Sequence, residues 1–160
     1  MQLRLAEIQD AGAITRVINA AFRQAESFLI DRDRIDEESV RALLEKGKFL
    51  VADLVADDES EVVGCVYVEL RGERAYLGLL AVDPERQKAG LGSKLMDAAE
   101  EFCAEAGCRF MDLRIVNVRR ELPEFYHRRG YAETGVTEAF PAELNTKVPC
   151  HFVGMSKKLA

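Results

Sequence analysis

The chain has 160 residues, 48% hydrophobic and 31% charged. This is a soluble globular balance, with no apolar run near the roughly 20 residues a membrane span requires. A net charge of −6 argues against a nucleic-acid partner, because phosphate contacts need a basic face, and it is compatible with an amine-bearing substrate. Four cysteines without a Cys-x-x-Cys pair, and only two histidines, argue against a metal site.

Residues 1–160 are expected to form one domain of ordinary size. Met1 to Glu7 lack the basic start and apolar middle of a secretory signal, so a cytoplasmic location without disulfides is expected. Leu3 and Leu5 alternate with Gln2 and Arg4 as in a short strand, and Asp10 stands where a helix N-cap would. Ile14, Val17, Ile18, Ala21 and Phe22 then recur at helical spacing over residues 11 to 24. The stretch from Glu26 to Arg34 reads as a loop, whose apolar triplet Phe28-Leu29-Ile30 either packs back onto the core or rims a substrate site. Glu37 to Glu45, with Val40, Leu43 and Leu44 on one side, predicts a second helix ending near Gly47.

Phe49 to Ala52 and Glu61 to Leu70 read as strands joined by the acidic turn Asp57-Asp58-Glu59-Ser60. A second turn at Arg71-Gly72-Glu73 leads into a strand from Arg74 to Val82, and three strands so joined are antiparallel. Asp83-Pro84 ends that strand, since proline lacks an N–H for a ladder and restrains the residue before it. Gly90 and Gly92 then open a helix whose apolar face is Leu91, Leu95, Ala98, Ala99, Phe102 and Ala106, ended by Gly107. Backbone N–H groups at such a glycine-rich helix start can approach an anion closely, and pyrophosphate is a natural guest.

The helix forms a crossover to a strand from Phe110 to Val116, which is therefore a parallel neighbour. A short helix follows from Leu122, with Pro123 suited to its first position and Gly130 to the left-handed residue after its last turn. Tyr131 to Thr137 and His151 to Lys158 are the last two expected strands.

The segment Val82-x-Pro84-x-x-Gln87-x-x-Gly90-x-Gly92 resembles the Q/R-x-x-G-x-G/A signature of the GCN5-related N-acetyltransferase (GNAT) family. The element order β-α-α-β-β-β-α-β-α-β-β resembles that family over nearly the whole chain. The resemblance implies an α/β fold with a mixed, mostly antiparallel sheet of about seven strands flanked by four helices. The fourth and fifth strands of that sheet splay apart.

As co-substrate the resemblance implies acetyl-CoA, with backbone groups of Leu80, Ala81 and Val82 free for its pantetheine arm. Its pyrophosphate would lie on the segment Gln87, Lys88, Ala89, Gly90, Leu91, Gly92 and Ser93. The chain has neither a Gly-Lys-Ser/Thr ending nor a G-x-G-x-x-G run there, which sets aside nucleotide triphosphates and dinucleotides.

Phe125-Tyr126 followed by Gly130-Tyr131 resembles the family's pattern for a tyrosine beside the cofactor sulfur, which makes Tyr126 the candidate general acid. Asn117 is a candidate cofactor contact, though it stands nine positions before Tyr126 where family members often have seven. For the base, strand alternation nominates Glu69 beside the cleft; His151 and a water chain are the alternatives. The acceptor is expected to be an amine-bearing small molecule or peptide, and the protein a monomer or homodimer. A catalytically silent acyl-CoA-binding sensor is the competing reading.

Overall fold

The structure is a computed structural model that describes residues 1–159; the side chains of Lys88 and Ala89 lie outside the described set. Strand β1 (Gln2–Leu5) leads into α1 (Ala11–Glu26) and α2 (Glu37–Lys46), followed by the meander β2 (Lys48–Ala56), β3 (Glu59–Arg71) and β4 (Arg74–Val82). Helix α3 (Leu91–Glu105), strand β5 (Phe110–Val116), helix α4 (Leu122–Arg128) and strands β6 (Ala132–Ala139) and β7 (His151–Lys158) complete the order. The seven strands form one sheet in the order β1-β2-β3-β4-β5-β7-β6.

Every strand pair is antiparallel except β4 with β5, the pair connected through α3. The expected seven-stranded mixed sheet and its element order are thus present. The acidic turn is tighter than the sequence implies, however: Asp57 and Asp58 both adopt positive φ, 51° and 65°, so two residues close the β2–β3 hairpin and both strands grow longer.

Each face of the sheet buries one helix pair. Leu91, Leu95, Met96, Ala99 and Cys103 of α3, with Tyr126 of α4, pack on Val66, Val68, Leu77, Met111 and Leu113. On the opposite face Ile14, Val17, Ile18 and Ala21 of α1, with Val40 of α2, pack on Phe49, Val51, Cys65, Tyr67 and Ala81. The apolar triplet after α1 divides: Leu29 and Ile30 are buried against Val116, Leu144 and Phe152, whereas Phe28 is 47% exposed.

Asp10 does not cap α1 with its side chain. A 3-10 turn at Ile8–Asp10 precedes the helix and moves the entry back to Glu7, so the Asp10 carboxylate accepts the Glu7 N–H at 2.7 Å and two Arg4 hydrogen bonds at 2.9 Å each. Arg4 also donates to Asp53 at 2.5 Å, linking the helix entry to β2.

The Arg4 guanidinium and the Glu7 N–H hold the Asp10 carboxyl below its usual range, so its charged form stabilises the fold above about pH 4 and loses that effect as pH falls through the depressed value. Asp10→Asn is expected to lower stability by about 1–2 kcal/mol in chemical denaturation at pH 7. The difference from the wild type should shrink below about pH 4.

Candidate active site

The pairing of β4 with β5 is short. Its register covers Arg74, Ala75 and Tyr76 opposite Phe110, Met111 and Asp112, and then the strands part. Just beyond, the ladder to β3 shifts: Tyr67 faces Gly78 while Cys65 faces Ala81, leaving Leu79 and Leu80 opposite Val66 alone. Leu79 absorbs this bulge with a φ of 52°, a left-handed conformation that branched side chains seldom take. From Leu77 onward the β5-facing edge of β4 has no strand partner.

A cavity of about 710 Å³ fills this gap. It is lined by β4 from Leu77 to Val82 and by β5 from Leu113 to Val116. It runs through the sheet, from Phe22 and Tyr76 on the α1 side to Phe125 and Tyr126 on the α4 side.

One end of the cavity meets the start of α3. Asp83 accepts the Glu85 N–H at 3.0 Å and opens a 3-10 helix, Pro84–Ala89, where the sequence suggests only a turn. Gln87 and Gly92 line the cavity, and the Gln87 amide also donates to the Val82 carbonyl at 3.2 Å, which fastens the loop to the strand end. Gly90 has φ +70° and forms the N-cap of α3. A Cβ added at Gly92 would meet nothing within 4 Å, so the protein leaves open space there.

The first N–H groups of α3 have no intrahelical acceptor, and the helix dipole adds partial positive charge at the same place. Of the other sequence-nominated residues, Leu80, Ala81 and Val82 line the cavity, Leu91 is in the core, and Ser93 is half-buried beside the helix start. The Lys88 and Ala89 side chains lie outside the described residues.

Tyr126 is 7% exposed and sits edge-on to Phe125 and Tyr131, with ring centroids 5.0 and 5.8 Å away. Its hydroxyl has no hydrogen-bond partner among the described residues, although the residue lines the cavity. Burial pushes the phenol up to about 12, so it remains a proton donor at neutral pH.

Asn117 is engaged elsewhere. Its Oδ1 accepts the His151 N–H at 2.8 Å and its N–H donates to the His151 carbonyl at 2.9 Å, so it prolongs the β5–β7 ladder, and neither residue lines the cavity. The longer spacing to Tyr126 instead accommodates a turn at Arg119, whose guanidinium reaches Glu26 at 3.2 Å and Glu121 at 2.8 Å.

Glu69 is also outside the cavity lining. It accepts from Tyr67 at 2.7 Å and Arg71 at 2.5 Å, and these two hydrogen bonds hold its carboxyl below the ordinary range, the reverse of what a base needs. Three other carboxylates line the cavity, Glu26, Glu121 and Glu124, and of these only Glu26, the last residue of α1, is buried, at 5% exposure. Burial raises its pKa even though Arg119 and Arg34 oppose the shift. A signal for it existed in the sequence, since Glu26 lies four residues after Phe22 on the apolar stripe of α1, where a charge is out of place. Among the described residues no group of three or more His, Cys, Asp or Glu is placed to hold a metal ion, and no helix is long and apolar enough to cross a membrane.

The model of the acetyltransferase (GNAT) family matches residues 10–131. The N-acetyltransferase YhfO of Bacillus subtilis is 26% identical over 142 residues, which is 83% of this chain and 91% of that protein. The mycothiol acetyltransferase of Clavibacter sepedonicus is 27% identical over 105 residues, 66% of this chain but only 34% of that larger protein.

Among solved structures, the PaiA N-acetyltransferase of Thermoplasma acidophilum in complex with coenzyme A aligns with a TM-score of 0.75 at 17% identity, covering 99% of each chain. The Salmonella typhimurium protein yncA, solved with its cofactor acetyl-CoA, aligns with a TM-score of 0.71 at 22% identity, covering 100% of this chain and 94% of the other. At such identities the structural likeness bears on the fold.

The two glycines of the loop should respond oppositely to one methyl group. Gly90→Ala forces a Cβ into a left-handed residue and is expected to cost about 1–2 kcal/mol. Gly92→Ala, in regular helix with open space around it, should stabilise the ligand-free protein by about 0.5–1 kcal/mol. Thermal denaturation of the two variants measures both signs.

Proposed function

The chain belongs to the acetyltransferase (GNAT) family, and from that premise we propose that it transfers an acetyl group from acetyl-CoA to the primary amine of a small molecule or peptide. The observation that carries this reading is the unpaired edge of β4. It opens a cavity through the sheet between the bare start of α3 and the unpartnered Tyr126 hydroxyl. Relatives crystallised with coenzyme A or acetyl-CoA support the choice of donor. One continuous sheet from Gln2 to Lys158 supports treating the chain as a single acyltransferase domain.

Acetyl-CoA, when bound, supplies an activated acyl carbon and a thiolate that can leave. The backbone N–H groups from Lys88 to Ser93 hold its pyrophosphate at the start of α3, and the open space at Gly92 allows close approach. The free edge at Leu80, Ala81 and Val82 takes the amide groups of the pantetheine arm as an added strand would. Both contacts position the thioester in the gap, and positioning alone can lower the barrier substantially.

Tyr126 donates its hydroxyl proton toward the sulfur as negative charge grows there. An acceptor ammonium, with a reference pKa of about 10.4, must first lose a proton. Glu26 takes that proton in this reading, because it lines the cavity and burial raises its pKa; Glu69 is set aside as too weak a base and Asn117 as already bonded.

Tyr126→Phe is expected to lower kcat by about 100-fold while leaving acetyl-CoA affinity unchanged by calorimetry. Gly92→Glu places a carboxylate and extra bulk in the phosphate space and should abolish acetyl-CoA binding with little change in thermal stability. The rate should fall as pH drops through the raised Glu26 value, and Glu26→Gln should remove that limb of the pH–rate profile. Binding of acetyl-CoA with no turnover across an amine panel would instead identify a silent acyl-CoA sensor.

A further inference from the structure

Four arginines line the cavity, and three of them have carboxylate partners. Arg114 pairs with Glu138 at 2.7 Å, Arg119 with Glu26 at 3.2 Å and Arg128 with Glu124 at 2.5 Å. Arg34 differs: among the described residues its guanidinium makes neither an ion pair nor a hydrogen bond, and it lies 5.8 Å from the centroid of the Phe22 ring. The residue is half-buried, and desolvation pulls its pKa below the ordinary arginine value while leaving it charged.

This placement is built into the fold. Asn19 of α1 accepts the backbone N–H groups of Arg34 and Ile35 at 2.9 and 3.0 Å, and its amide donates to the Ile35 carbonyl at 2.8 Å. Three hydrogen bonds from one side chain thus fix the loop backbone where the arginine departs. Leu29 and Ile30, fully or nearly buried, anchor the same loop from its other end.

A partly desolvated guanidinium with no protein acceptor is complementary to an anion from outside, and its planar donor fork matches a carboxylate in bidentate fashion. Glu26 is near enough for its charge to act on Arg34, but its hydrogen bond goes to Arg119. The net charge of −6 gives no long-range attraction for a polyanion, whereas a zwitterion is not repelled and would be recognised by a local cation.

Resting on the acetyl-transfer reading, we propose that the acceptor is an amino acid, a small molecule that carries its carboxylate beside its primary amine. Arg34 binds the carboxylate and turns the amine toward the gap between β4 and β5. The acceptor enters from the α1 side of the sheet, opposite the face that holds Tyr126.

The test is a panel of L-amino acids, each assayed beside its amide and beside the amine that lacks the carboxylate, with thiol release as the readout. The wild type should favour at least one acid over both of its counterparts by tenfold or more in kcat/KM. Arg34→Met should raise KM for that acid by tenfold or more while leaving KM for acetyl-CoA and for the uncharged amine unchanged, and Arg34→Lys should recover part of the loss. Equal use of acids and uncharged amines, or an Arg34→Met variant that loses both alike, overturns the proposal but leaves acetyl transfer intact. Where no panel member turns over, calorimetry of the same compounds on protein saturated with coenzyme A decides: absence of an Arg34-dependent preference for the acid overturns the proposal. Failure to bind acetyl-CoA at all would overturn the acetyl-transfer reading with it.

Discussion

The parting of β4 from β5 after Tyr76 and Asp112 is the constraint on which the rest of the molecule depends. A strand edge in the middle of a sheet leaves backbone donors and acceptors without partners, and such groups are tolerated only where water or a ligand can reach them. The bulge at Leu79 keeps the edge from healing, because it breaks the strand's regular alternation where β5 leaves. A leucine with φ of 52° carries strain on the order of 1–3 kcal/mol, so it persists only because its surroundings impose it. The α1 and α2 cluster packs against Leu79 on one face, and α3 fixes the neighbouring strands from the other.

The two openings of the gap are assembled differently. The opening at the start of α3 is local in sequence: strand end, Asp83 cap, 3-10 turn and helix start follow one another within β4 to α3, and Gln87 ties the turn back to Val82. The opening toward α1 brings together distant segments. The Glu26–Arg119 pair bridges residues 93 apart in the chain, joining the end of α1 to the turn before α4. That carboxylate is buried beside a partner that is itself nearly enclosed, and Arg119 reaches Glu121 as well, so the pair belongs to a small charge network rather than standing alone.

Much of the fold was legible because its signals are local. The Pro84 break, the helix start at Gly90, the helical spacing of α1 and α3, and the Pro123 and Gly130 ends of α4 depend on residues within a few positions of one another. The departures arise where a competing partner lies elsewhere. Asp10 looks like a helix cap, but Arg4 and the Glu7 N–H claim its carboxylate. Glu69 lies on a plausible face of its strand, yet Tyr67 and Arg71 beside it tie up both oxygens. Asn117 stands at the right end of β5, but the two additional residues before Tyr126 let it complete the pairing with His151.

The sequence by itself determined the strand and helix order and the glycine-led start of α3, since backbone conformation at glycine and proline and the periodicity of apolar residues are short-range effects. Only the tertiary structure decided how far β4 and β5 remain paired, that Leu79 takes the bulge, and that Glu26, Arg34 and Arg119 meet in one cavity. Those outcomes depend on burial and on which charges find each other across long separations, and neither is encoded in the spacing of any one segment.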